Sequence, residues 1–170
     1  MRKVYYSITL FVLIYQLLGC TGNNTSKPCK YTPPTSIFSD IDSFENHSFD
    51  LKGQYSVERI TVPKMNMDIE LFQSGCDDIQ QEFRFLLHEA YPLNTPPDVC
   101  AMHIAGILYI LSQEAPQKLG LLQQWAEAIK SNSKSFNYNE KTGFFDSEIS
   151  AQIDKTHQPE SAVLSIVFYN

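Results

Sequence analysis

Between residues 55 and 170 the spacing of apolar side chains changes period twice, and that change limits the architectures open to the chain. MDIELF (67–72) sets Met67, Ile69 and Leu71 on one side of an extended strand, and QEFRFLL (81–87) does the same with Phe83, Phe85 and Leu87. YSVERITV (55–62) reads as a strand with Tyr55, Val57 and Arg59 on one side, Ile60 and Val62 near its end and an irregularity between them. The period then becomes helical in TPPDVCAMHIAGILYILSQ (95–113). Thr95 is its expected N-cap, Pro96 suits the first helical position, and the charge of Asp98 favours the exposed amides of the first turn. From Val99 to Leu111 apolar residues run nearly all round, which predicts burial on most sides. A second helix is predicted from Pro116, with Leu119, Leu122, Ala126 and Ile129 as its core face and Trp125 adjoining.

Strand patterns return after that helix. The run NEKTG reads as a hairpin loop with Gly143 in a left-handed position. SEISAQID (147–154) alternates Ile149, Ala151 and Ile153 against polar residues, and AVLSIVFYN (162–170) is apolar on both faces, as an interior strand would be. Ile37 to Gly53 mixes aromatic and acidic residues in a pattern that suggests one short helix and then a loop. The fold class expected from these runs is α+β, an antiparallel sheet of five or six strands with a helical hairpin packed on one face.

The amino terminus carries a different signal. Arg2 and Lys3 precede a mostly apolar run of about fifteen residues, Val4 to Leu18, and Gly19 then stands before Cys20. This is the layout of a secretory signal peptide, and the run is shorter than the roughly 20 residues that span a bilayer core. The order Leu17, Leu18, Gly19, Cys20 resembles the lipobox of bacterial lipoprotein precursors. The resemblance implies that the Cys20 thiol is diacylated and that residues 1–19 are removed as the signal peptide. Thr21, in place of Asp, resembles the pattern sorted to the outer membrane. Each buried CH₂ of an acyl chain contributes about 0.8 kcal/mol, so two or three chains anchor firmly where one holds marginally. Residues 20–36, CTGNNTSKPCKYTPPTS, lack any apolar period and read as a flexible tether that reaches roughly 50 Å when extended. Residues 37–170 then form a single globular domain.

Cleavage takes away Arg2 and Lys3 and no acid, so the 13 basic residues fall to 11 against 19 acidic, a net of −8. Phosphate-rich partners are disfavoured, and nucleic-acid binding is excluded from the expected functions. With Cys20 lipidated, Cys29, Cys76 and Cys100 remain. Cys76 and Cys100 both fall in the predicted body and make the preferred disulfide, with Cys29 to either of them as the alternative. A bridge closing that loop of about 24 residues would stabilise by roughly 3 kcal/mol.

Chemistry-bearing groups are sparse. Cys76 beside His88 or His103 would make a nucleophile and base, and Cys100 with His103 offers two zinc ligands but no second pair. Asp77, Asp78 and Glu82 lack the ligand alternation of a calcium loop, and Asp68, Glu70 and Glu82 would have to face one pocket to act as acid and base. No cofactor or metal site is expected. Phe136, Tyr138, Phe144 and Phe145, interleaved with Asn132, Asn137 and Asn139, suit contact with a partner, because rings supply area at low entropy cost. The function expected is that of a lipid-anchored envelope protein facing the periplasm or the exterior, a non-catalytic interaction module. An immunity or inhibitor protein that captures a basic partner, or an envelope assembly factor, fits that class. The alternatives are an envelope hydrolase using Cys76 or paired carboxylates, and a small-ligand carrier.

Overall fold

A computed structural model describes residues 33–75, 79–89, 91–144, 149–158 and 161–169. Four strands, β1 (Glu45–Lys52), β2 (Tyr55–Val62), β3 (Met67–Gly75) and β4 (Ile79–Leu87), follow one another as an antiparallel meander. Two helices, α1 (Pro97–Glu114) and α2 (Pro116–Ser131), come next, and then β5 (Lys141–Phe144), β6 (Ile149–Gln158) and β7 (Ser161–Tyr169). The sheet has seven strands in the order β1-β2-β3-β4-β7-β6-β5, where five or six were expected. The chain crosses over through the helices to the far edge and works back, so that β7 slots in beside β4. That position explains why β7 is apolar on both faces.

One additional strand is β5, in a run read as a hairpin loop, and the other is β1, where a short helix followed by a loop was expected. Its residues are exposed apart from the half-buried Phe49, so no apolar alternation marks it. The two-residue loop Gly53-Gln54 joins it to β2, and Gly53 takes φ +62°, a backbone state that costs a glycine nothing.

Core rows run straight across the sheet. Ile60, Ile69, Phe85 and Leu164 stand opposite one another on successive strands, and Leu71, Phe83, Ile166 and Ile153 form the next row. The β2–β3 register is continuous from Tyr55↔Ser74 to Val62↔Met67, and the irregularity lies on the β1 side, where the register shifts between Glu45 and Ser48 opposite Thr61 and Arg59. What looked like a broken alternation is Glu58 pointing inward, in the same row as Leu71 and Phe83. Phe83 lies at the centre of the core, with the rings of Phe38, Phe85, Trp125 and Phe168 at centroid distances of 6.0–6.5 Å.

Two charged side chains point to the core side of the sheet, and each holds a covering segment by its backbone. Glu58 is fully buried and accepts from the amides of Ile37 and Phe38 at 3.0 Å and from the Ser36 hydroxyl, while His47 Nε2 lies 2.8 Å away. This pins residues 36–38 and with them Phe38, Ile41 and Phe44, all buried. Lys155 stands opposite Leu164 in β7, and its ammonium donates to the carbonyls of Leu93 at 2.6 Å and Thr95 at 2.9 Å. A carboxylate gathers amides at one side of the core, and an ammonium gathers carbonyls at the other.

The start of α1 also differs from expectation. Thr95 Oγ1 donates to the Pro92 carbonyl at 2.7 Å, so it shapes the loop before the helix and does not cap it. Pro96 is the N-cap and Pro97 the first helical residue. Gly143 lies within β5 opposite Ser150, and the left-handed residue of that turn is Asn139, at φ 62°.

Candidate functional site

Helix α1 presents two apolar faces. Cys100, Ala101, Ile104, Ala105, Ile107, Leu108, Leu111 and Ser112 are buried, and α2 with the sheet covers them. The opposite face is Val99, Met102, His103, Gly106, Tyr109, Ile110 and Gln113, all exposed. Val99, Met102, Tyr109 and Ile110 are 38–47% exposed. None of the seven is Lys, Arg, Asp or Glu, whereas a surface helix ordinarily turns charge outward. The sequence-based expectation of burial on most sides therefore fails for this face, because no described element lies over it. Contiguous exposed apolar surface of this kind marks interaction sites.

A cleft of about 410 Å³ opens along the same face where α1 meets α2. Ala105, Gly106 and Ala126 form its floor, Met102 and Tyr109 its wall, and Glu127 and Lys130 its rim. A β-carbon built on Gly106 would meet nothing within 4 Å, so packing within the chain does not require glycine there. In a helix interior glycine costs about 1 kcal/mol relative to alanine.

At the start of α1 several titratable groups converge. The Cys100 thiol is fully buried, and the hydroxyls of Tyr91 and Tyr138 lie near enough to act on its proton. Tyr138 also donates to the Thr95 carbonyl at 2.7 Å, and the Tyr91 hydroxyl lies 2.8 Å from His103 Nδ1. Burial pushes the thiol above its ordinary value, against the opposing pull of the two phenols and Lys155. Tyr91 is pushed up to about 12 by burial and by the neighbouring Cys100, and Tyr138 is raised by the same causes. A thiolate is the nucleophile and the metal ligand, and this thiol is held protonated. The cluster ties the 91–96 loop to α1 and β6.

The raised values make stability depend on pH at the alkaline end. The folded chain holds these protons more tightly than the unfolded chain. Their contribution is complete below the ordinary values, near 8.5 for a thiol and 10 for a phenol, and is lost as pH climbs towards the folded values. The urea midpoint is expected to decline above about pH 8.5 and again between about 10 and 12, with Cys100→Ala removing the first decline and lessening the second, because the thiol also raises both phenols. Native Cys100 should also resist alkylation until the chain unfolds. Labelling at the rate of a free thiol, followed by peptide mapping, would refute this assignment.

Among the other residues singled out from sequence, Cys20 and Cys76 lie outside the described residues, as do Cys29, Asp77 and Asp78. Cys100 is a free, buried thiol, and its expected disulfide partner Cys76 lies outside the described residues.

Of the four aromatics expected to form a contact surface, the side chains of Phe136 and Tyr138 are described. Phe136 is only 2% exposed and belongs to the core, which corrects its expected role as a partner contact. Tyr138 is half-buried against that core with its hydroxyl engaged, and the Phe144 side chain lies outside the described residues.

Asp68, Glu70 and Glu82 lie on the sheet face opposite the helices. Asp68 accepts from Thr61 at 2.7 Å and lies 3.1 Å from His88 Nε2. Glu70 pairs with Arg59 at 2.8 Å and Glu82 with Arg84 at 2.6 Å, so a guanidinium balances each of these two carboxylates. Arg84 also covers the Phe72 ring at 4.1 Å. No group of three metal-ligating side chains occurs among the described residues, and none of their helices is long and apolar enough to cross a membrane.

Sequence reasoning missed the outer face of α1. The signal was present, since the seven positions share one side of a helical wheel and carry no formal charge. Two apolar faces cannot be ranked by periodicity, however, and only packing shows which is covered. No family model, curated protein or solved structure matches the chain.

Proposed function

We propose that the protein is an envelope lipoprotein, held at the membrane by acyl chains on Cys20 and acting as a non-catalytic protein-interaction module through the outer face of α1. The observation that carries this reading is the uncharged stripe of Val99, Met102, Tyr109 and Ile110, exposed on a helix whose other face is fully packed. Exposed apolar area of this extent is costly to keep in water unless something binds it. The lipobox-like Leu17 to Cys20 and the polar stretch that follows support a tethered placement, with the outer membrane favoured. The acidic remainder of the surface would speed encounter with a basic partner at low salt, while the α1 face supplies the apolar contact. Immunity or inhibition and envelope assembly both use such a contact.

A photo-crosslinking residue in place of Tyr109, or of Ile110, in the acylated chain in intact cells is expected to give protein adducts. The same residue at Gln123 or Gln124 on α2 should give several-fold fewer. Intact mass should show Cys20 acylated at a new amino terminus. Absence of adducts from every position on the α1 face removes the interaction reading, and an unmodified Cys20 with the leader retained removes the anchoring.

A further inference from the structure

We draw no further inference here: the strongest candidate, the uncharged outer face of α1 with the cleft it shares with α2, belongs to the interaction site already proposed, and nothing in the structure shows what covers it.

Discussion

Phe83→Ala is expected to lower the unfolding free energy by about 3–5 kcal/mol, a large part of the roughly 5–15 kcal/mol that holds a domain of this size together. The ring is fully buried and is shared by four elements. Phe38 reaches it from the amino-terminal segment, Trp125 from α2, Phe85 from its own strand and Phe168 from β7. Removing it opens a cavity whose walls belong to four elements, none of which can collapse without dragging the others. Phe83→Leu, which keeps most of the volume, should cost about 1.5 kcal/mol or less. Urea unfolding followed by Trp125 fluorescence reports both values, because the indole packs edge-on to Phe83 and stacks on Phe168 at 3.9 Å. A loss below about 1 kcal/mol for the alanine variant would mean that these rings are not one core.

Glu58→Ala is expected to cost a similar amount, about 3–5 kcal/mol, for a different reason. The carboxylate is the acceptor for the amides of Ile37 and Phe38 and for the Ser36 hydroxyl, so its removal strands buried donors. Each such orphan costs about 1–3 kcal/mol. Glu58→Gln keeps the shape but turns an NH₂ towards donors, and should fall between wild type and alanine. The loss should be local first. Limited proteolysis is expected to cut between residues 33 and 44 in Glu58→Ala under conditions where the native chain is resistant there. If both variants unfold at the wild-type urea concentration and resist cutting, the carboxylate does not hold the segment.

These residues show unequal legibility in sequence. Phe83 was placed on the core side from alternation alone, together with Phe85, Met67, Ile69 and Leu71, because each of these strands buries one face and leaves the other in water. Both helices were legible for a related reason, the 3.6-residue spacing of Leu119, Leu122, Ala126 and Ile129 and the apolar density of 99–111. Glu58 was not placed. Its polar letter in a strand reads as an outward position, and the amides it serves come from residues about twenty positions earlier. Phe136 was misread in the opposite direction, since aromatics among asparagines near a turn look exposed until a helix and sheet close over them.

The sequence by itself determined the two helices, the strands β2, β3 and β4 before them and β6 and β7 after them, and the inward rows of β3 and β4. Local spacing carries all of that, because alternation and helical period are properties of neighbours along the chain. Tertiary structure alone decided that β1 joins the edge, since an edge strand takes its order from the backbone of β2 and needs no apolar stripe of its own. It alone buried the Cys100 thiol between α1 and its neighbours. It alone left one apolar side of α1 uncovered: a helix that is apolar all round carries no mark of which side its neighbours will reach, and only the number and placement of those neighbours can show it.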